Sequence, residues 1–166
     1  MWHPIASLRA AISRFFARRV VHSAVSASEP ISAAVATLVC VLPAPADRDL
    51  LTDLSRRQCW ETFFAATRDD ARDAIRRLQP QIVLLDRDLE PADWRYSLSS
   101  LAAASNGACF LLVSRVVDEY LWNEVVSNGG YDVVRKPLIE ADVARNVKLA
   151  LSYWTVTHRA NAAATK

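Results

Sequence analysis

The sequence predicts an α/β fold with a parallel sheet, because short apolar runs alternate five times with amphipathic helical stretches from about residue 35 onward. The run 81–86, Gln-Ile-Val-Leu-Leu-Asp, is apolar between its two ends, as expected for a central strand that helices cover on both faces. A chain of 166 residues, of which 52% are hydrophobic, suits one domain with a substantial core. We therefore expect a five-stranded sheet between two layers of helices.

The first half of the domain contains three predicted strands, at 35–42, 61–66 and 81–86, where apolar, β-branched or aromatic residues are concentrated. Two helices are expected between them, at 47–58 and 69–78, because apolar residues recur there at intervals of three and four. The residues on these apolar faces are Leu50, Leu51 and Leu54 in the first helix, and Ala71, Ala74, Ile75 and Leu78 in the second. Each helix would thus pack one face on the sheet.

The second half continues the alternation, with helices expected at 94–104, 118–127 and 140–157 and strands at 109–113 and 131–134. Asn-Gly steps follow the first two of these helices and suit helix ends. The apolar faces are formed by Leu98, Leu101 and Ala102 in the first helix, and by Val143, Val147, Ala150, Leu151 and Trp154 in the last. The domain is therefore expected to span 35–157.

Both ends of the chain differ in composition from this domain. Residues 1–22 place apolar side chains at helical spacing with arginines between them, which predicts a basic amphipathic helix, and a linker rich in Ser and Ala follows to residue 34. For residues 1–22 we favour a poorly ordered leader over a helix that contacts an anionic membrane surface or a partner. Residues 158–166 are polar and rich in alanine, and we expect a frayed tail.

The composition argues against several classes of protein. A formal net charge of +2 is too small to indicate nucleic-acid binding by the folded domain. The 3 cysteines are far apart and form no Cys-x-x-Cys pair, which is typical of a reducing cytoplasm. No apolar run is long enough to cross a bilayer, and arginines interrupt the first segment where a secretory signal would be continuous. We therefore expect a cytoplasmic protein.

Three polar residues stand at the ends of neighbouring predicted strands. Asp86 ends the run 81–86, Ser114 ends the run Cys-Phe-Leu-Leu-Val-Ser, and Lys136 follows the last strand in Val-Val-Arg-Lys-Pro. The carboxyl ends of parallel strands converge on one crevice, so a carboxylate, a hydroxyl and an ammonium would meet there. Such a trio can accept and hold a phosphoryl group.

Two segments carry a resemblance to a known family. The family is that of response regulator receiver domains in two-component signalling. Its phosphoacceptor loop is resembled by the segment 82–93, Ile-Val-Leu-Leu-Asp-Arg-Asp-Leu-Glu-Pro-Ala-Asp. Its Lys-Pro segment is resembled by the segment 127–137, Ser-Asn-Gly-Gly-Tyr-Asp-Val-Val-Arg-Lys-Pro. The resemblance covers about 36–157 and implies a flavodoxin-like (βα)5 doubly wound parallel sheet with strand order 2-1-3-4-5. It also implies that Asp86 is the phosphoacceptor and that Ser114 and Lys136 contact the phosphoryl group.

The chain departs from this family at the magnesium site. Leu42 and Pro43 replace the acidic pair that follows the first strand in the family. Asp86 and the backbone carbonyl of Asp88 remain as ligands, so we expect weak Mg²⁺ binding. Asp47 and the nearby Asp49 lie about one helical turn too late in the sequence to match the missing pair. Either side chain could still turn toward the pocket, the crevice where Asp86, Ser114 and Lys136 are expected to meet.

Aromatic residues define a candidate partner surface. Val133 replaces the aromatic switch residue of the family, and strand alternation places Tyr131 on the same face as Val133. Tyr120 and Trp122 lie on the fourth predicted helix. If they are exposed, they would form a signalling face together with the fifth strand and the fifth helix, as the resemblance implies.

These observations lead to two functional hypotheses. The first is a stand-alone, non-enzymatic receiver in a phosphorelay, which takes a phosphoryl group from a histidine kinase or phosphotransfer protein onto Asp86 and signals to a downstream protein partner. The second is a pseudo-receiver, a constitutive adaptor whose pocket is locked by Asp86 and Lys136. A flavin or nucleotide enzyme on the same fold is disfavoured, because the sequence lacks a glycine-rich phosphate loop.

Overall fold

A computed structural model describes residues 35–90 and 93–164 of the chain. Its five parallel strands form one sheet in the order β2-β1-β3-β4-β5, which confirms the expected order. The strands are β1 (Thr37–Val41), β2 (Glu61–Phe64), β3 (Ile82–Asp86), β4 (Cys109–Ser114) and β5 (Asp132–Arg135). The predicted leader and linker, residues 1–34, lie outside the described residues.

Helices cover both faces of the sheet. They are α1 (Pro45–Gln58), α2 (Arg68–Leu78), α3 (Trp94–Ala104), α4 (Glu119–Ser127) and α5 (Glu140–Ala164), with a short 3-10 helix at Arg87–Leu89. Alternate strand residues point to opposite faces and so build two cores. In β1, Leu38 and Cys40 pack with α1 and α5, whereas Val39 and Val41 pack with α2, α3 and α4.

The central strand positions the polar residues at one edge of the sheet. Every residue of β3 is buried, and β3 lies between β1 and β4. In the register between β3 and β4, Asp86 is opposite Val113, so Ser114 lies one step beyond it. Ser114 in turn is opposite Arg135, and Lys136 follows. The three strand-end residues therefore lie together at the carboxyl edge, as the sequence predicts.

Two helix boundaries differ from the sequence prediction by more than one residue. The first helix begins at Pro45 rather than at 47, because proline is well suited to the first turn of a helix. The last helix continues beyond its expected end at 157 to Ala164, so the predicted frayed tail is helical over most of its length. In this extension the ring nitrogens of His158 lie 3.1 Å from the carbonyl oxygen of Trp154 and 2.9 Å from that of Asn106. His158 thereby fixes α5 to the loop before β4.

No helix in the described ranges is both long enough and apolar enough to cross a membrane.

The turn between α4 and β5 leaves no room for a side chain at Gly130. A Cβ atom there would lie 3.0 Å from the carbonyl oxygen of Val125 and would also collide with the Val125 side chain. We expect Gly130→Ala to lower the free energy of unfolding by about 1–3 kcal/mol, measured by urea denaturation. The control Ser127→Ala, at the exposed end of α4, should change it by less than about 0.5 kcal/mol. Equal effects of the two substitutions would contradict this packing.

Candidate functional site

Asp86 is the last residue of β3, and its side chain is 0% exposed. One carboxylate oxygen accepts a hydrogen bond from the Lys136 ammonium. The other accepts from the backbone N–H of Asp88 at 2.9 Å, and this bond caps the short helix Arg87–Leu89. Both oxygens are thus engaged by donors of the protein itself, and the same carboxylate shapes the loop that follows the strand.

Lys136 follows β5 and is held from both its backbone and its side chain. Its backbone N–H donates to the carbonyl oxygen of Ser114 at 2.9 Å. Its side chain is 13% exposed, and Nζ lies between Asp86 and the Oδ2 atom of Asp47, 3.3 Å away. The ammonium therefore joins the ends of two strands and the start of α1.

The surroundings of Lys136 favour its charged form. Burial opposes the charge, but the hydrogen bond and negative charge of Asp86, together with those of Asp47, outweigh this effect and raise the pKa of Lys136 above its ordinary value. Lys136 is therefore an ammonium group at neutral pH.

The structure resolves which of the two late acids reaches the pocket. Asp47 does, with a side chain that is 15% exposed, whereas Asp49 lies at the surface. The cause is the early start of α1 at Pro45, which places Asp47 in the first turn of that helix. Pro45 is the signal in the sequence that could have indicated this, since proline favours the first position of a helix.

Ser114 is buried at the end of β4, and its carbonyl oxygen accepts the bond from the backbone N–H of Lys136. Its hydroxyl oxygen accepts a hydrogen bond from the backbone N–H of Val116 at 3.2 Å. The hydroxyl thus shapes the loop after β4, a common use of serine at the end of a strand. This position is consistent with both predicted roles, contact with a phosphoryl group and termination of the strand.

Several solved structures match this chain. A response regulator from Thermotoga maritima matches with a TM-score of 0.65 and 17% identity over 72% of this chain and 99% of the other. A CheY-like receiver domain protein from Methanospirillum hungatei matches with a TM-score of 0.66 and 16% identity over 74% of this chain and 98% of the other. NtrX from Brucella abortus matches with a TM-score of 0.68 and 21% identity, over 77% of this chain and 29% of that protein. The chain has the fold of a response regulator receiver domain.

No protein-family model matches the sequence, and no curated protein matches it either. The likeness to receiver domains at these identities is a likeness of fold. It confirms the flavodoxin-like architecture, and the chemistry of the pocket has to be judged from its own residues.

The pocket residues do not fit the Mg²⁺ ion that receiver domains generally bind. Leu42 is buried in the core and Pro43 is exposed, so neither position supplies an oxygen ligand from a side chain. Asp86 is enclosed, and a hydrated Mg²⁺ ion could reach its carboxylate only if Lys136 moved away. Within 35–90 and 93–164, no group of three or more His, Cys, Asp or Glu side chains could hold a metal ion. In this receiver fold an ammonium group pairs with the buried carboxylate.

Ion pairs fix the loop after β3 to its neighbours. Asp88 pairs with Arg115 of the loop after β4 at 2.6 Å, and Glu90 pairs with Arg68 of α2 at 3.2 Å. Trp94, which begins α3, is buried in the core, and the Arg87 guanidinium lies over its ring at 5.8 Å. The sequence analysis missed Arg68 and Arg115, because nothing in their spacing indicates which loop they face.

The aromatic residues of the predicted partner face differ in exposure and in the core that they contact. Tyr120 is 68% exposed, whereas Trp122 is half-buried against the core beneath α2, α3 and α4. Tyr131 packs in the opposite core, with its ring 5.1 Å from that of Tyr153. The expectation that Tyr131 shares a face with Val133 is wrong, because β5 begins at Asp132 and its alternation does not extend to Tyr131.

The pairing of Lys136 predicts a pH-dependent stability. Lys136→Met should lower the free energy of unfolding by about 3–5 kcal/mol at pH 7, since it leaves a buried carboxylate without its partner. The folded-state pKa of Lys136 is raised, so the stability from the pair is fully present below the unfolded lysine pKa of about 10.4 and is lost as pH rises through the folded-state value. The difference in the free energy of unfolding between wild type and Lys136→Met should therefore shrink as the pH rises above the unfolded lysine pKa. Urea denaturation at a series of pH values measures it.

The control for this experiment is Lys148→Met, at an exposed position of α5. For this variant we expect the free energy of unfolding to change by less than about 0.5 kcal/mol throughout the pH range. If the loss of unfolding free energy in Lys136→Met stays constant up to the highest pH, then packing, and not charge, accounts for the role of Lys136.

Proposed function

We propose that this chain is a receiver-type signalling module that acts through protein–protein contacts and whose pocket is closed by its own ion pair, independently of phosphorylation. One observation carries the proposal. The Asp86 carboxylate has no exposed surface, and each of its oxygens already accepts a hydrogen bond within the protein. A phosphoryl donor would meet Lys136 and the loop Arg87–Leu89 before it met the carboxylate.

The charges in the pocket support the same proposal. A carboxylate that attacks a phosphoryl group must overcome repulsion between anions, and enzymes and receivers use divalent cations for this purpose. Leu42 and Pro43 remove the ligands for such an ion. Lys136 supplies one positive charge, which it shares between Asp86 and Asp47. Little positive charge is then left to attract an incoming phosphoryl group.

The exposed surface supports a protein as the ligand. Large apolar side chains are exposed on α4 and α5, namely Tyr120, Val126, Leu149, Tyr153 and Val156. The last three follow one another at intervals of four and three, so they share one side of α5. Exposed apolar side chains that cluster in this way are typical of surfaces that contact other proteins. We infer that a downstream signalling protein is the partner.

A second candidate function is phosphoacceptance by Asp86 in a phosphorelay, with a histidine kinase or phosphotransfer protein as donor. The convergence of Asp86, Ser114 and Lys136 at the carboxyl edge of the sheet favours it. In that case Lys136 would have to release the carboxylate and pair with the phosphoryl group instead.

Mass spectrometry separates the two candidates. The full chain is incubated with acetyl phosphate at several Mg²⁺ concentrations and then analysed intact and as peptides. We expect no phosphoryl adduct on Asp86, because its carboxylate is enclosed and lacks a metal partner. A Mg²⁺-dependent adduct on Asp86 that is absent from Asp86→Asn would contradict the proposal and support the phosphorelay.

A matched variant shows that the assay can detect the reaction. Leu42→Asp combined with Pro43→Asp restores the acidic pair after β1. Leu42 is buried, so circular dichroism must first show that the double variant is folded. We then expect Mg²⁺ to displace Lys136 from Asp86 and the Asp86 adduct to form. Adduct formation by the double variant alone would identify the loss of the acidic pair as the cause of inactivity.

A further inference from the structure

The cation between the two pocket carboxylates is part of the chain. Lys136 Nζ bonds to Asp86 from β3 and lies 3.3 Å from Asp47 Oδ2 of α1. All three side chains are largely buried, unlike surface pairs such as Arg56 with Asp53, whose side chains are 75% and 60% exposed. Exposed pairs of that kind contribute little, whereas buried charges require a partner.

We propose that the Lys136 ammonium is the permanent cation of this pocket, that Asp47 is its second anchor, and that the ammonium excludes divalent metal ions from the space between Asp47 and Asp86. The proposed function, on which this rests, requires only that Asp86 is closed to phosphoryl donors. The further step assigns a residue to the position of the metal and a role to Asp47, which lies outside the receiver-like motifs of the sequence.

The geometry supports an exchange between ammonium and metal. One nitrogen atom contacts carboxylate oxygens from two elements, so both carboxylates face the same small space. Carboxylate oxygens are the ligands that hard divalent cations prefer, and one or two carboxylates with water molecules are enough for Mg²⁺. In the wild type the ammonium already occupies this space, and Leu42 and Pro43 supply no further carboxylate that would help a metal ion to displace it.

The charges point in the same direction. Two carboxylates and one ammonium leave the cluster with a single excess negative charge, which is a weak attraction for a dication. The nearby Asp88 carboxylate pairs with Arg115 at 2.6 Å and adds little negative charge to the cluster. Removal of the Lys136 charge would leave both pocket carboxylates uncompensated, and a dication would then restore neutrality.

The test uses the full chain and Mn²⁺ as a spectroscopic probe for divalent ions. Electron paramagnetic resonance measures free Mn²⁺ during a titration, and thermal unfolding is recorded with MgCl2 or with NaCl of equal ionic strength. We expect the wild type to bind no Mn²⁺ at millimolar concentrations and to show the same Tm in both salts. Lys136→Met should gain Mn²⁺ binding, and MgCl2 should raise its Tm.

A double variant identifies the ligands. Asp47→Asn combined with Lys136→Met should lose the Mn²⁺ binding that Lys136→Met gains, whereas Asp49→Asn combined with Lys136→Met should keep it, since Asp49 lies at the surface. If Lys136→Met is unfolded without metal, we expect Mn²⁺ to restore its far-ultraviolet circular dichroism, because the ion then replaces the ammonium.

Three results would overturn the proposal: Mn²⁺ binding by the wild type that Asp86→Asn abolishes, a folded Lys136→Met that ignores Mn²⁺, or an unfolded one that Mn²⁺ does not rescue. These results differ from those that would refute the proposed function. An Asp86 adduct formed without any metal would refute the function and leave the internal cation in place. Metal binding by a wild type that forms no adduct would refute the internal cation and leave the proposed function in place.

Discussion

The bond between the Lys136 ammonium and the Asp86 carboxylate joins the ends of two strands that are not neighbours, because β4 lies between β3 and β5. The backbone of Lys136 bonds to Ser114 at the end of β4, so the connection passes through all three strands. The second oxygen of Asp86 orients the next loop through Asp88. The carboxyl edge of the sheet, the first turn of α1 and the loop after β3 all depend on this one pair.

Such a pair defines geometry more than it adds stability. Desolvation of two charges offsets much of their attraction, but loss of one partner leaves an isolated buried charge. The arrangement therefore selects one conformation strongly. A receiver that signals by shifting its population between two states needs both states within a few kcal/mol. Under the proposed function, a pocket closed by Lys136, with Asp47 as a further anchor, would keep the protein in a single state instead.

The sequence was sufficient for the fold and for the main pair. Alternating apolar runs predicted the five strands, and the shared carboxyl edge of parallel strands placed Asp86 and Lys136 at one edge, while the strand order came from the resemblance to receiver domains. Details that depend on a single residue of phase were not predictable. The start of α1 at Pro45 places Asp47 at the pocket, and the start of β5 at Asp132 sets the face of Tyr131. In the part of α5 that was not predicted, His158 contacts Asn106, which is distant in sequence.

If the protein itself completes the pocket around Asp86, a crystal of the full chain grown with Mg²⁺ and beryllofluoride, a phosphoryl mimic, should contain neither of them there. We expect Lys136 Nζ still bonded to Asp86, with no density for metal or beryllofluoride between Asp86 and Asp47. Beryllofluoride bound to the Asp86 carboxylate, with Mg²⁺ beside it and Lys136 displaced, would show that the pocket accepts a phosphoryl group.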